Sequence, residues 1–420
     1  MKLLNYSMET VASDPLTHKR NYDPLPLLEI DTDYLESETN LQDVSVSEDE
    51  DSVERLLTNY KVGIDVKDVL QSNVESGMPA TDTQLHLSEI TLESIGIDTS
   101  GLFTATNMSR MGTTNVAVEN VTDKLFTLIS DTGDLLRKIS VKSKLSLLSL
   151  SDKATRIKHS TALSLGAVNT SDKTLAKDII KAIKSSWLAN KFNIKGETNY
   201  ATIKTILESH LILLEYGLYI IPKIDIIMKA MDAHIKTNTK DIYGVITSNT
   251  HSMLNFNGVK FTNNLNGLTS SFTASIPNLY NHSGYEFVFK ENPSTKVFSL
   301  SIITIGNTVA AQRTAMDLTK HQVEDLLHLI SKITATFNNY SHLATTVSDI
   351  QLMNNKILFD IDQLLRSKNT LKKRSEELYN LLSFANSLRR VTVRLTNQVI
   401  NESVIVTNNA LKYIDIVGRL

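Results

Sequence analysis

Lys173, Lys177, Lys181 and Lys184 recur at intervals of four, four and three residues. On an α-helix that spacing lines their ammonium groups along one side. A second basic group comprises Arg366, Lys368, Lys372, Lys373, Arg374, Arg389, Arg390 and Arg394, set against two acids, Glu376 and Glu377. Counted as windows, residues 137–195 hold 13 bases and three acids, a net of +10, and residues 366–394 come to +6. Such rows suit a polyanion. Each cation that neutralises a phosphate releases a condensed counterion, so binding is blind to sequence and weakens with salt. No zinc finger, aromatic-rich RNA motif or arginine-rich base reader accompanies them, and base-specific readout is not expected. The competing reading is that these rows are solvated helix faces.

Catalytic and metal chemistry finds little support. The 420 residues contain no cysteine, which removes thiolate nucleophiles, thiolate zinc sites and disulfides. None of the ten histidines forms the His-Glu-x-x-His pair of a helical zinc protease, and no nucleophile elbow or Gly-rich phosphate loop occurs. His321 and His328 share a helical face, but no carboxylate completes a site with them. Asp360 and Asp362 are two apart and diverge by about 200° on a helix. Asp31-Thr-Asp33 lacks the loop glycine of an EF-hand. No cofactor is expected. An enzyme would need a site assembled by the fold, for which Tyr280, Asn281, His282 and Tyr285 are the candidates.

The charges are unevenly placed. Residues 1–100 hold 21 acids and six bases, a net of −15, while the other 320 residues carry +12. A head of opposite sign can screen a basic body until it is displaced. Four of the seven prolines and the run Ser45-Val-Ser-Glu-Asp-Glu-Asp-Ser-Val-Glu54 lie in this head. It offers little apolar surface to offset ordering entropy and is expected to be largely disordered, apart from a helical stretch near Leu56, Leu57 and Tyr60. Met1–Asn5 is too short an apolar run for a signal-peptide core. Leu211–Met231 is broken by Glu215, Pro222, Lys223 and Asp225, so no membrane span is expected.

The elements that must position these charges follow from periodicity. Val116–Ile139 reads as an amphipathic helix, Ser140–Leu165 as partly helical, and Lys173–Phe192 as a helix capped near Thr170-Ser171-Asp172. Tyr200–Ile235 is apolar all round, hence central, with a break expected at Pro222. Strand-like runs occur at Val259–Thr262, Ser270–Ile276, Tyr285–Lys290 and Lys296–Ile305, the last two forming a hairpin. Thr319 and Gln322 form a capping box that opens the final part. There the heptad row from Ile357 is apolar but its companion row is mixed, which favours a helix bundle over a free coiled coil. The β-branched run Ile400–Val406 marks a local break. The expected fold is mainly α with a small antiparallel β insertion, behind a disordered acidic N-terminal segment. Its divisions are an acidic leader over 1–89, a Lys-rich helical domain over 90–237, a β region over 238–310 and a C-terminal bundle over 311–420.

An acidic leader runs into Leu85-His-Leu-Ser-Glu-Ile-Thr-Leu-Glu-Ser-Ile-Gly-Ile-Asp98, then Gly101-Leu-Phe and a Lys-rich helical body. This order resembles the internal head proteins of large tailed bacteriophages. The resemblance implies a non-enzymatic virion component carried inside the capsid, with packaged DNA, other capsid proteins and a head-maturation protease as partners. That protease group cuts after an apolar residue, any residue, then Glu. Leu87-Ser88-Glu89 followed by Ile90, and Leu27-Leu28-Glu29 followed by Ile30, match in the leader. Cutting after Glu89 would remove a net of −13 and leave a cationic product of +10. Lys173, Lys177, Lys181, Lys184, Arg366, Lys372, Lys373, Arg374, Arg389 and Arg390 are then the expected DNA contacts. The rival reading is a helical scaffold or tail-associated subunit whose basic rows bind no nucleic acid.

Overall fold

A computed structural model describes residues 32–100, 103, 110–170, 192, 194, 199–237, 242–266, 269–280, 282–292, 295–307, 318–366 and 372–418. The fold is mainly α with one small antiparallel sheet, as the periodicity indicates.

The N-terminal segment departs most from expectation. From Thr32 it forms a 44-residue helix, α1 (Thr32–Glu75), followed by α2 (Asp82–Ser94). The disorder expected of the leader therefore fails from Thr32 onward. The sparse apolar residues of α1 all fall on one side, and Val53, Tyr60, Ile64 and Leu70 are buried there. The acids occupy the remaining faces, so composition alone understated how much this helix can bury.

Helix α3 (Arg110–Thr170) runs antiparallel to α1. Asp49 meets Lys142, Gly63 packs on Leu125, and the Ala80 amide donates to Thr114 Oγ1 at 3.0 Å. Ser140–Leu165 lies wholly within this one helix. Gly133 does not break it; the missing side chain lets Asn355 pack against the backbone.

Helix α4 (Tyr200–Thr237) is central, with Ile206, Leu213, Ile220, Ile227 and Met231 among its buried residues. It continues through Pro222. Proline removes one backbone donor, but tertiary packing holds the turn together. Next to that turn the Tyr340 hydroxyl donates to Leu214 O at 2.6 Å, in a space that any side chain at Gly217 would fill.

After α5 (Ile242–Leu254), strands β1 (Lys260–Asn266), β2 (Thr269–Leu279), β3 (His282–Asn292) and β4 (Val297–Asn307) form an antiparallel meander in chain order. Phe272 pairs with Phe289, and Phe289 with Leu300. These positions alternate onto one face, which packs against Tyr216 of α4 and Phe384 of the C-terminal bundle.

The bundle comprises α6 (Lys320–Ser341), α7 (Ala344–Arg366), α8 (Lys372–Arg394), a π-helical turn (Leu395–Val399) and α9 (Ile400–Gly418). Thr319 and Gln322 form the capping box of α6, with Gln322 N donating to Thr319 Oγ1 and Thr319 N to Gln322 Oε1. The irregularity expected at Ile400–Val406 lies just before it, in the π-turn, while 400–406 is regular helix. Within the π-turn, the buried Thr396 hydroxyl donates to the carbonyls of Thr392 and Val393 and competes for the backbone ladder. One continuous hydrophobic core joins Tyr60 and Leu70 of α1 to Tyr413 of α9, so the four sequence divisions share a core.

Candidate functional site

Two oppositely charged helices meet where α1 crosses the C-terminal bundle. Asp49 accepts from Lys142 Nζ at 2.5 Å. Glu50 takes both terminal nitrogens of Arg389, through Nη1 to Oε1 and through Nη2 to Oε2 at 2.7 Å. Glu54 meets Arg390 Nη1 at 2.6 Å. Arg389 has 0% of its surface exposed and Glu50 8%. Asn386 Oδ1 accepts from Arg389 Nε at 3.0 Å and from Nη2 at 2.9 Å, so the guanidinium is fully engaged.

The chain positions this clasp by helix phase. Glu50 lies three residues before Val53, on the buried side of α1, and Glu54 lies one turn beyond Glu50 at the rim. Arg389 sits between Leu388 and Val391, both buried on α8. Beside the clasp, α1, β4, α8 and the π-turn enclose a groove of about 800 Å³ whose walls include Glu50, Glu54, Ser301, Asn386, Arg390 and Arg394. Arg394 is anchored to the sheet, donating to Ile302 O at 2.5 Å and to Thr304 Oγ1 at 2.8 Å. Burial, with the neighbouring Arg390 charge, lowers its pKa. Both signs of charge line the groove and pair with each other, which leaves no anion trap there.

A second cluster joins α4 to α8. Arg374 Nη1 donates to Glu377 Oε2 at 2.7 Å, Tyr243 OH donates to Glu377 Oε1 at 3.1 Å, and His234 Nε2 lies 3.3 Å from Glu377 Oε1. Burial alone would raise the Glu377 pKa, but Arg374, Tyr243 and His234 outweigh it and hold the carboxyl below its ordinary 4.5. A depressed folded-state pKa contributes stability that is complete above pH 4.5 and is lost as pH falls through the folded value. Glu377→Gln should therefore destabilise the fold near neutrality, and the gap from wild type should shrink on acidification to about pH 3. Urea unfolding at the two pH values reads this directly.

The structure disperses the sequence-derived site residues. Glu29, Ile30, Lys173, Lys177, Lys181 and Lys184 lie outside the described residues. Arg366 ends α7, and Lys372 and Lys373 open α8. Arg374, Arg389 and Arg390 do not present open cations: each is paired with a carboxylate, and Arg389 is buried. Acids distant in sequence were brought onto them, which a count within 366–394 could not register. The aromatic cluster is structural as well. Tyr285 OH donates to Glu402 Oε2 at 2.7 Å, and Tyr280 OH accepts from Asn409 Nδ2 at 2.8 Å. Both tyrosines are buried.

Glu89 and Ile90 sit mid-way along α2, not in a disordered strand. Ile90 is exposed and Glu89 half-buried, but Ser88 and Leu92 are buried and Thr81 and Gln84 form a capping box at the helix start. A protease needs that helix unwound. Thr81→Ala should cost the helix about 1 kcal/mol and raise the rate of cutting after Glu89 by a glutamate-specific protease about fivefold.

Exposed cations remain on α3. Lys138, Lys144, Arg156 and Lys158 all face solvent, and Asp152 is the one acid between them. Their span of 20 residues covers about 30 Å. The sequence counted these residues within the +10 window but attached no role to them; their phase relative to the buried positions of α3 was the available signal.

No known family model, curated protein or solved structure matches this chain. Among the described residues, no three His, Asp or Glu side chains are grouped to hold a metal ion, and no helix is long and apolar enough to cross a membrane.

Proposed function

We propose that this chain is a non-enzymatic structural subunit that contacts duplex DNA without sequence preference through the exposed cations of α3. In the terms of the sequence resemblance, it is an internal component of a bacteriophage head, located inside the capsid beside packaged DNA and other capsid proteins. The supporting observation is a contrast between two basic regions. The arginines of α8 are neutralised within the fold, whereas Lys138, Lys144, Arg156 and Lys158 project from one continuous helix. A rigid row of cations matches the regular charge spacing of a duplex backbone.

The acidic N-terminal region has a different role from a detachable cover. Helix α1 carries twelve acids and three bases, and it is pinned by a buried ion pair and a share of the core. It supplies counter-charge from within the fold. If a head-maturation protease acts on this chain, the Glu29–Ile30 bond precedes α1 and requires no turn of α1 or α2 to open, unlike Glu89–Ile90.

A second reading, a scaffold or tail-associated subunit that binds no nucleic acid, draws support from the pairing of Arg374, Arg389 and Arg390. Binding of random-sequence duplex DNA across a salt series separates the two. Affinity that falls steeply with salt supports the first reading; no binding even at low salt supports the second.

A further inference from the structure

The solvent face of α3 carries more than cations. Val141, Leu145 and Leu148 are 57%, 60% and 47% exposed, on a helix whose opposite side is fully packed. Their spacing of four and three puts them in one stripe. Arg137 and Lys144 lie along one edge of the stripe, Lys138 and Arg156 along the other. Asp134, ion-paired with Arg137 at 3.0 Å, and Asp152 mark its two ends. Three neighbouring aliphatic side chains left in water beside four cations describe a seat for a ligand that is apolar and acidic at once.

We propose that the occupant is the chain's own segment 22–31, Tyr-Asp-Pro-Leu-Pro-Leu-Leu-Glu-Ile-Asp, lying along this stripe as a strap. The segment has four aliphatic residues, Leu25, Leu27, Leu28 and Ile30, with three acids and no base. Pro24 and Pro26 favour an extended backbone over a helix. Its attachment point fits. α1 runs antiparallel to α3 with Asp49 opposite Lys142, and continuing both helices brings Thr32 level with about His159. Leu145 lies about 21 Å back along α3 from there. The seven residues from Leu25 to Thr32 can span about 23 Å when extended. A chain reversing at Thr32 therefore sets Glu29 and Asp31 near Arg156, Leu25 and Leu27 near Leu148 and Leu145, and Asp23 near Lys144 and Lys138. A second copy docking by the same stripe is disfavoured, because it would oppose Arg137, Lys138 and Lys144 with their own equivalents.

This inference stands on the geometry of α3 and holds whether or not that face binds DNA. It also gives the Glu29–Ile30 bond a consequence: cutting it would untether Asp23, Leu25, Leu27 and Leu28 from the body.

The absence of cysteine allows a clean test in the full-length chain. A Leu25→Cys, Leu145→Cys chain and a Leu25→Cys, Leu163→Cys chain would be oxidised in parallel, without DNA. Leu163 is also exposed and lies no farther from Thr32, so a loose tether reaches it as readily. Docking predicts intramolecular disulfide formation at least about 10-fold faster with residue 145. Adding Asp23→Lys, Glu29→Lys and Asp31→Lys should abolish that advantage. Equal rates at 145 and 163, or cross-links that mainly join two chains, would overturn the proposal.

Discussion

Glu50→Ala is expected to destabilise the protein by about 3–5 kcal/mol, because it strands a buried guanidinium with no carboxylate. Arg389 is buried entirely, and Asn386, its other polar contact at Nε and Nη2, is neutral. The remaining options for the variant are to hydrate the arginine by opening the α1–α8 contact or to expel it from the core, and both disrupt Val46, Val53 and Val393 around it. The paired change Glu50→Leu with Arg389→Met should recover most of the loss, since apolar side chains of similar size often replace a buried ion pair at little cost. Urea unfolding of the two variants against wild type gives both numbers. A single variant within about 1 kcal/mol of wild type would mean that the clasp does not hold α1 to the bundle.

The second large effect concerns DNA. Four neutralised phosphates give a log–log salt slope of about −3.6, so affinity should fall roughly 100-fold between 50 and 200 mM salt. Reversing Lys138, Lys144 and Arg156 to glutamate removes three of those contacts and should flatten the slope to about −1. All three side chains are exposed, so the fold should tolerate the change. Arg390→Ala makes the informative control. That arginine belongs to the expected DNA-contact group but is held by Glu54, so the slope should be unaffected.

The helices, the four strands in their meander and the capping box at Thr319 were legible because each rests on local periodicity or a cap. Charge proved harder to read. The +6 window over 366–394 is correct as arithmetic, but its arginines are neutralised by Glu50 and Glu54, more than 330 residues away in sequence. A one-dimensional count cannot register pairing at that distance. The same limit explains the acidic leader. Ser45–Glu54 has the composition of a disordered run, yet Val46 and Val53 are seven residues apart and fall on one helical face, which a packed neighbour can bury. The π-turn at Leu395 was displaced from the expected break because the cue used, β-branching at 400–406, marks low helix propensity, and packing overrides propensity.

The account's central claim is that exposed charge on α3, not the arginines of α8, is what this protein offers a polyanion. Fluorescence anisotropy of labelled random-sequence duplex DNA, titrated with the full-length chain at several salt concentrations, tests it most directly. Binding that steepens with falling salt, is lost with the α3 reversals and persists with Arg390→Ala agrees with the account. Binding that survives the α3 reversals, or is absent at the lowest salt, contradicts it.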